Sequence, residues 1–227
     1  MKKRITFISD THSKHKYLTS KGMGNTLGDG DILVHAGDMS TQGFTHEIEE
    51  FLKWFSDTPF EHKIFIAGNH DFYFEKYNTI DQKYIEKGVH YLFDNQVVID
   101  GITFYGSPWQ PEFYNWAFNL PKNGIGLQEK WNLIPKNVDV LITHGPAFGI
   151  LDYAPMGGHV GCELLLNKIY EVNPKIHVCG HIHEGYGQKT INGVEFINAS
   201  VLNGRYQHGN KPIKILFDTE TKEIEYE

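Results

Sequence analysis

The sequence predicts an α/β fold in which short strands end in polar residues and alternate with helices and tight hairpins. Three observations support this prediction. Short apolar runs, such as residues 4–9 and 31–36, lead directly into acidic residues. Apolar side chains recur at helical spacing between residues 44 and 55. Further along the chain, Asp-Gly and Asn-Gly pairs join β-rich runs.

The first third of the chain has the order strand, strand, helix, strand. The strands are short apolar runs that end in polar residues, at residues 4–9, 31–36 and 62–67. Residues 19–30, between the first two strands, are rich in Gly, Ser and Asn and are predicted to form a loop. The helix has one apolar face, formed by Phe44, Ile48, Phe51, Leu52 and Phe55.

The middle of the chain combines a hairpin with a long loop. Residues 96–99 and 102–105 are β-rich runs joined by Asp100-Gly101, which suits a type I′ turn because both central residues of that turn have positive φ. Residues 106–126, the aromatic loop, show no periodicity and carry three prolines and several aromatic rings. We predict that the aromatic loop is ordered, and loops of this length are often functional.

The last part of the chain repeats these patterns. Strands are predicted at residues 138–143 and 175–179, a helix at 162–172, and hairpins with arms 189–191 and 194–199, and 213–218 and 222–226. Crossover connections between parallel strands place their C-terminal ends at one edge of a sheet, where ligand sites form. The polar residues that follow the strands should therefore meet at one edge.

The composition limits the possible functions. The chain has 227 residues, of which 40% are hydrophobic, and shows no linker, repeat or low-complexity run, so a single domain over residues 1–227 is expected. No run approaches the roughly 20 apolar residues of a membrane span, and no signal peptide is apparent, which favours the cytoplasm over a membrane. A net charge of −7 without a basic cluster argues against long nucleic acid as a partner.

Cysteine and histidine usage adds two expectations. Cys162 and Cys179 are the only cysteines, and their spacing matches no metal or redox motif, so both should be reduced core thiols. The chain has 13 histidines, a high number for the commonest metal ligand in proteins. Of these, His35 and His177 lie inside apolar strand runs and are predicted to be core residues. The oligomeric state stays open, with a homodimer as one alternative.

Metal-binding residue types follow five of the predicted strands. They are Asp10, Asp38, Asn69, His144 and His181. Most are flanked by glycine, which lets the backbone approach a ligand closely. His12 lies in the first of these segments, and His183 alternates with His181, so that both point to one side of an extended chain. Each residue alone has a structural explanation, Asp10 and Asp38 as helix N-caps or turn residues, Asn69 as a turn residue and His144 as a hydrogen-bonded loop histidine. The joint pattern favours a shared metal site.

The residue types indicate which metals and which chemistry to expect. Oxygen and imidazole ligands together suit Mn, Fe, Zn or Ni better than Mg or Ca. Two such ions about 3.5–4 Å apart lower the pKa of a bridging water and hold both oxygens of an in-line displacement at phosphorus. Two close cations need a shared anion, and Asp38 is the natural bridge. The sequence therefore predicts two divalent metal ions and hydrolysis of phosphate esters.

These motifs, in this order, resemble those of the calcineurin-like metallophosphoesterase superfamily. The motifs are Asp10-Thr11-His12, Gly37-Asp38, Gly68-Asn69-His70-Asp71, His144 and Gly180-His181-Ile182-His183. The resemblance covers roughly residues 4–200. It implies a four-layer αββα sandwich, in which two mixed sheets are flanked by helices and the metals lie at the strand ends.

The resemblance also implies a role for each site residue. The first metal would be held by Asp10, His12, Asp38 and His183, and the second by Asp38, Asn69, His144 and His181. A hydroxide bridging the two metals would attack phosphorus, with His70 as the general acid at the leaving oxygen. Asp71 would orient His70 through the other ring nitrogen of His70.

Longer segments resemble the metallophosphoesterase-domain-containing branch of the superfamily. They are residues 106–111 (GSPWQP), 115–120 (NWAFNL), 143–146 (THGP), 159–163 (HVGCE) and 180–187 (GHIHEGYG). That branch is associated with hydrolysis of phosphodiesters, including cyclic nucleotides, so a small phosphodiester or nucleotide is the expected substrate. A phosphomonoesterase, including a protein phosphatase, is one alternative. A non-catalytic metal-binding scaffold is another, although the intact ligand set disfavours it.

Arginine usage favours a diester substrate over a monoester. A monoester is a dianion near neutral pH, and enzymes often hold its extra oxygens with Arg. The serine/threonine phosphatases of the superfamily follow Gly-Asp with Asp-Arg-Gly, whereas Met39-Ser40 follows Gly37-Asp38 here. The only arginines are Arg4 and Arg205, and neither lies near a motif.

Three residues outside the ligand set are candidate substrate contacts. His159 lies in a Gly-rich loop that matches the branch. Trp109 and Trp116 lie in the aromatic loop and are candidates to stack on a nucleobase, a contact worth about 1–3 kcal/mol per base. The alternative is that the aromatic loop is a hydrophobic lid that packs on the sheet.

Overall fold

The apolar runs and two-residue turns form strands that assemble into two mixed sheets. The computed structural model describes residues 1–20 and 26–227. The strands are β1 (Lys2–Ile8), β2 (Gly30–Ala36), β3 (Phe60–Ile66), β4 (Val89–Tyr91), β5 (Asn95–Ile99), β6 (Ile102–Ser107), β7 (Gln110–Pro111), β8 (Asn119–Leu120), β9 (Val140–Thr143), β10 (Tyr153–Ala154), β11 (Gly158–His159), β12 (Ile176–Cys179), β13 (Gly187–Ile191), β14 (Val194–Asn198), β15 (Ile213–Asp218) and β16 (Ile224–Tyr226). The α-helices are α1 (Thr45–Ser56), α2 (Phe72–Tyr77), α3 (Gln82–Ile85), α4 (Ile125–Asn132) and α5 (Glu163–Val172).

Each large sheet has a run of four parallel strands, with antiparallel strands at one edge of the first sheet and at both edges of the second. The first sheet has the order β16-β15-β1-β2-β3-β4, in which β1 to β4 run parallel. The second has the order β13-β14-β12-β9-β6-β5, in which β14, β12, β9 and β6 run parallel. Because the parallel strands carry their C-terminal ends to one edge, the loops that follow them lie together.

Three hydrophobic layers join the sheets and the helices. Between the sheets, side chains from both inner faces pack together, among them Phe7, Val34, Phe104, Ile142 and Val178. Helices α1 and α2 pack on the outer face of the first sheet, and helices α4 and α5 pack on the outer face of the second. The order of layers is helices, sheet, sheet, helices, which confirms the predicted four-layer αββα sandwich. In the described part of the chain, the helices are too short or too polar to cross a lipid bilayer.

Helix α1 shows how the sequence determines these elements. Four of the five residues of its predicted apolar face are buried, whereas Phe44 precedes the helix and is 58% exposed. The rings of Phe51 and Phe55 each lie 6.0 Å from the ring of Phe65 in β3. The helix begins after Phe44, where the Glu47 carboxylate accepts a hydrogen bond from the Phe44 N–H at 3.0 Å. Glu47 thereby satisfies a backbone donor at the helix start, where partners within the helix are lacking.

The predicted hairpins are confirmed. Asp100 and Gly101 have φ of 51° and 78°, and Asn192 and Gly193 have φ of 51° and 81°, as type I′ turns require. The strands β15 and β16 also pair antiparallel, with β16 starting at Ile224. The prediction of reduced thiols in the core is confirmed too, since both cysteines are free and buried.

Several elements differ from the prediction. The aromatic loop contains the short parallel pair β7 and β8, and helix α4 begins inside its predicted range, at Ile125. Helices α2 and α3 and strand β4 were not predicted, because none is longer than six residues and so none shows a full period. Of the predicted loop 19–30, residues 21–25 lie outside the described residues, and Gly30 already begins β2.

Candidate metal centre and active-site cleft

The strand ends of both sheets meet at one edge of the sandwich. The Ser9 N–H donates to the Ala199 carbonyl at 2.9 Å and joins the two sheets there. Five of the predicted ligands lie within three residues of the end of a parallel strand, with Asp10 after β1, Asp38 after β2, Asn69 after β3, His144 after β9 and His181 after β12. The sequence prediction that these residues share one edge is confirmed, and the structure brings them together.

Asp10, His12 and His183 form a first cluster that can hold a metal ion. His183 Nε2 lies 3.4 Å from Asp10 Oδ1 and 3.4 Å from His12 Nε2. The hydroxyls of Ser9 and Ser200 donate to Asp10 Oδ2, at 2.5 and 2.7 Å. These bonds fix the carboxylate and leave Oδ1 as the oxygen that faces the two rings.

Asp38, His144 and His181 form a second cluster, with Asn69 beside it. His144 Nε2 lies 3.3 Å from Asp38 Oδ2 and 2.9 Å from Asn69 Oδ1. Asp38 Oδ2 also lies 3.7 Å from His12 Nε2, which belongs to the first cluster. Asp38 therefore stands between the two clusters, in the position that a bridging ligand needs.

The ring nitrogens show why these clusters fit a cation. In His12, His144 and His183, Nδ1 lies within 3.2 Å of a backbone carbonyl oxygen, to which it donates. The donated Nδ1–H leaves Nε2 as a lone-pair acceptor, and carbonyls of this kind orient metal-binding histidines. Each Nε2 faces a carboxylate or another Nε2, so that acceptors converge on acceptors in a buried space when the rings are neutral. A divalent metal satisfies all of them at once.

The electrostatics of the clusters point the same way. Burial lowers the pKa of His144, but Asp38, Asp10 and the Ala36 carbonyl together outweigh burial and raise that pKa to about 9. At His183, Asp10, Asp38 and the Asn203 carbonyl together outweigh burial and raise the pKa to about 9. Burial opposes ionisation of Asp38, yet the neighbouring histidines, His144 foremost, hold its pKa below the ordinary value. Protons and metal ions therefore compete for the same ring nitrogens.

The backbone at the clusters is strained. Asp10, His12, Asp38 and His181 have φ of 53°, 40°, 57° and 67°. Left-handed conformations of this kind cost about 1–3 kcal/mol each and gather at functional sites. Gly180 is required for a related reason, because a Cβ at that position would overlap the Asp10 carboxylate.

His70 belongs to the site, but Asp71 does not contact its ring. His70 Nε2 lies 4.0 Å from Asp38 Oδ2, and His70 Nδ1 donates to the Thr41 carbonyl at 2.7 Å. The buried Asp71 carboxylate instead accepts the backbone N–H groups of Asp38 and Gly68, at 3.0 and 2.8 Å. The prediction that Asp71 orients His70 is therefore wrong. Asp71 holds two ligand loops together, because buried backbone donors need a partner.

A cleft of about 730 Å³ opens beside the clusters. Asp38, His70 and His181 lie at its inner end, one wall is the aromatic loop, and the other is the β10–β11 hairpin. Two of the predicted substrate contacts, Trp116 and His159, line this cleft. The Trp116 ring lies 4.1 Å from the His70 ring, centroid to centroid, so one of its faces is already covered.

The prediction that Trp109 contacts the substrate is wrong, because the structure places this residue away from the cleft lining. Trp109 Nε1 donates to Asp94 at 2.9 Å, and Lys130 Nζ lies 4.4 Å from the centre of its ring. The ring also packs edge-on against Phe118. Trp109 anchors the aromatic loop to the rest of the fold. For this residue, the structure agrees with the alternative that the loop is a lid that packs on the sheet.

Sequence reasoning missed several residues at the site. They are Thr41, Asp152 and Tyr206, which contact predicted site residues. Phe113 and Tyr114 belong to the aromatic loop, whose rings are predicted to reach the active-site mouth, and both are exposed and line the cleft. The position of Tyr206 follows from the parallel pairing of β14 with β12, because this pairing ends β14 at the same edge as the ligand strands. The sequence predicts β14 only as an arm of a hairpin, so it carries no signal for Tyr206.

Clusters of histidine and aspartate at the strand ends of an αββα sandwich define a metallophosphoesterase. The chain belongs to the calcineurin-like phosphoesterase family, which its residues 3–185 match. It is 42% identical over 238 residues to metallophosphoesterase domain-containing protein 1 of Homo sapiens, covering 93% of this chain and 70% of that protein. The Mus musculus protein of the same name matches equally well. These matches confirm both the superfamily and the branch that the motifs indicate.

More distant matches agree with this assignment. A UPF0046 protein of Caenorhabditis elegans is 38% identical over 218 residues, covering 83% of this chain and 54% of that protein. Among solved structures, the fold is similar to that of a Thermus thermophilus protein, TT1561, with a TM-score of 0.64 at 14% identity. The alignment covers 100% of this chain and 99% of that chain, and the likeness concerns the fold alone.

Proposed function

We propose that this protein is a two-metal phosphodiesterase that hydrolyses small phosphodiesters, with cyclic nucleotides among its candidate substrates. One observation carries the proposal. Histidine and aspartate clusters that Asp38 connects lie at the inner end of a cleft of about 730 Å³. Membership of the calcineurin-like phosphoesterase family supports a metal-dependent reaction at a phosphate ester.

The ligand set divides between two metals. In the proposal, one metal is held by Asp10, His12, Asp38 and His183, and the other by Asp38, Asn69, His144 and His181. This mixture of oxygen and nitrogen donors suits Mn, Fe, Zn or Ni. When bound, the metals supply an activated water and neutralise charge at phosphorus.

His70 is the general acid in this proposal. Its Nδ1–H is fixed by the Thr41 carbonyl, so Nε2 is the nitrogen that can deliver a proton to the leaving oxygen. The ring of Trp116 packs against the ring of His70 at a tilt of 30° and helps to hold the imidazole in place. His70 also forms a third possible metal group with His12 and Asp38, so a ligand role competes with the acid role.

The charge of the cleft supports a diester substrate. In the described part of the chain, Lys122 is the only Lys or Arg that lines the cleft. Arg4 pairs with Glu227, and Arg205 lines a neighbouring pocket with Glu184. A monoester dianion would therefore lack the arginine fork that usually holds its additional oxygens.

The rim of the cleft supports a substrate with an organic group on each side of phosphorus. Phe113 and Tyr114 on the aromatic loop are 50% and 78% exposed, and Met156 on the facing hairpin is fully exposed. Exposed apolar groups that face one another across a cleft are typical of a ligand site. A nucleobase or another planar group of the diester fits between them.

His159 is a substrate contact in this proposal. Its Nδ1 lies 2.6 Å from Asp152 Oδ1, and the fully buried Asp152 accepts the N–H groups of Gly149 and Gly161 through Oδ2, at 2.8 and 2.9 Å. This anchored carboxylate fixes the imidazole and leaves Nε2 as the nitrogen that can bond to a ligand in the cleft.

Metal reconstitution with paired substrates tests the proposal. The purified protein is stripped with a chelator, reloaded separately with Mn, Fe, Zn or Ni, and assayed on bis-nitrophenyl and mono-nitrophenyl phosphate. We expect two bound ions per chain and the higher kcat/KM on the diester. A monoester preference of about tenfold or more, equal to roughly 1.4 kcal/mol in the barrier, would favour the phosphomonoesterase alternative. Bound metal without hydrolysis of any ester would indicate a scaffold.

A further inference from the structure

A tyrosine outside the matched family region forms part of the wall around the first metal cluster. The family match ends at residue 185, whereas Tyr206 follows strand β14. The Tyr206 ring lies 4.9 Å from the His12 ring and 4.9 Å from the His183 ring, centroid to centroid. Tyr206 also lines the cleft together with Asp38, and 45% of its surface is exposed. A ligand in the cleft can therefore reach it.

The loop that carries Tyr206 is tightly closed. The Asn203 N–H donates to the Gln207 carbonyl at 2.9 Å, and the Asn203 side chain accepts the N–H groups of Arg205 and Gln207 at 2.9 and 3.1 Å. From outside the loop, Lys14 Nζ donates to the Tyr206 carbonyl at 2.5 Å. These bonds fix the position of the ring before any substrate arrives.

The loop is also tied to the metal cluster. The Asn203 carbonyl accepts both the Tyr206 N–H, at 2.8 Å, and His183 Nδ1, at 3.0 Å. One backbone atom thus sets the orientation of a proposed metal ligand and the position of the tyrosine. Tyr206 has φ of 56°, which is uncommon for a bulky residue and typical of strain held at functional sites.

The hydroxyl of Tyr206 has no hydrogen-bond partner among residues 1–20 and 26–227. We propose that this hydroxyl donates a hydrogen bond to a non-bridging phosphoryl oxygen of the bound ester. A tyrosine hydroxyl is neutral and protonated near neutral pH, so it adds a donor without adding charge. This role suits a cleft that has few cations and a substrate that has one negative charge. The inference rests on the proposed function, because it assumes that phosphoryl groups bind at the clusters.

The test compares Tyr206→Phe with Tyr170→Phe. Tyr206→Phe keeps the ring against His12 and His183 and removes only the hydroxyl. Tyr170 on α5 is a matched control, because it is 43% exposed and does not line the cleft. For each metal-loaded protein we would measure bound metal, kcat/KM on bis-nitrophenyl phosphate, and the affinity for inorganic phosphate.

We expect Tyr206→Phe to keep its metals and to bind phosphate more weakly. Its kcat/KM should fall about 10- to 100-fold, the usual range for loss of a hydrogen bond to a charged group. Tyr170→Phe should match the wild type. A Tyr206→Phe variant with wild-type kcat/KM and phosphate affinity would overturn the inference, and so would one that loses metal. If the wild type hydrolyses no ester, the proposed function fails, and the phosphate affinities alone then decide the role of Tyr206.

Discussion

Behind the inner end of the cleft, Asp10 and His144 are fully buried, whereas at the rim Tyr114 is 78% exposed and Met156 is fully exposed. The inner side chains are held by hydrogen bonds from two sheets and by strained backbone, while the rim presents rings and a flexible thioether to solvent. Groups that act on every substrate need this fixed geometry, because small displacements of reacting groups cost rate. Groups that select among substrates can be exposed and adaptable. We therefore assign chemistry to the inner end and substrate choice to the rim.

Removal of Asp38 should give the largest effect, because it connects both clusters. We expect Asp38→Ala to abolish measurable hydrolysis and to weaken metal binding by more than about 100-fold, the upper range for loss of an outer partner of a ligand. Elemental analysis and a nitrophenyl ester assay would measure both. The control is Asp94→Asn, which removes a charge from another carboxylate whose side chain is only 8% exposed, beneath the aromatic loop. This control should lose stability and keep its metals; full activity in Asp38→Ala would refute the bridging role.

Removal of His70 should give the next effect. We expect His70→Ala to retain both metals and to lose about 10²–10⁴-fold in kcat, as is usual when general acid catalysis is removed. The loss should be smaller for a nitrophenyl leaving group than for an alkyl one, because a good leaving group needs less protonation. Equal losses on both esters would contradict the acid role. Loss of a metal from the variant would instead make His70 a ligand, as its place beside His12 and Asp38 permits.

Metal binding should depend on pH at the inner end. The raised pKa of His144 and of His183, each about 9, means that both rings carry protons at neutral pH until a metal displaces them. The apparent metal affinity should therefore rise with pH up to about 9, by about tenfold per pH unit for each proton released. In the metal-free protein, the free energy of unfolding changes with pH in the opposite direction. The stability gained from these protons is complete below the ordinary pKa of 6.5 and is lost as pH rises through 9.

Calorimetry in buffers of different ionisation enthalpy would count the released protons, and thermal unfolding at pH 6.5 and 9 would measure the loss of stability. His15 serves as a control histidine, because burial lowers its pKa to about 4 and no carboxylate outweighs burial there. Substitution of His15 should leave the proton count unchanged. Metal affinity that does not vary between pH 6.5 and 9 would contradict the proton competition.

The smallest effects should come from the aromatic loop. Phe113 lies at the rim of the cleft, whereas Trp109 anchors the loop, so substitutions of these two rings should have different effects. Phe113→Leu should raise KM for a cyclic nucleotide by up to about tenfold, within the range for one lost stacking contact, with little change for bis-nitrophenyl phosphate. Trp109→Leu should lower the melting temperature without a selective KM change, because Trp109 bonds to Asp94 and packs below the rim. A selective KM change in Trp109→Leu alone would reverse these roles.

The sequence predicted what depends on local pattern. Strand ends, type I′ hairpins and the apolar face of α1 depend on neighbouring residues, so periodicity and turn residues are sufficient to find them. Five of the proposed metal ligands were predictable for the same reason, because each lies within three residues of a strand end. Elements of three to six residues, such as α3 and β4, are too short to show a period. The single domain and the cytoplasmic location stay predictions.

The errors share a different cause, which is a partner distant in sequence. Asp71 was predicted to hold its neighbour His70, but its carboxylate bonds to the Asp38 loop, 33 residues away. Trp109 was predicted at the cleft because it is aromatic and lies in a loop, but its Nε1 donates a hydrogen bond to Asp94 and the ring packs away from the cleft. Tyr206 was missed because its place beside His12 depends on how the two sheets meet.

The number and position of the bound metals test the two-metal proposal most directly. A crystal structure of the metal-loaded protein, with anomalous scattering recorded on both sides of the metal absorption edge, would locate and identify each ion. We predict two ions, one contacted by Asp10, His12 and His183 and the other by Asn69, His144 and His181. Asp38 should contact both ions, and His70 should contact neither. A single fully occupied ion, or His70 in place of Asp38 as the shared ligand, would contradict the proposal.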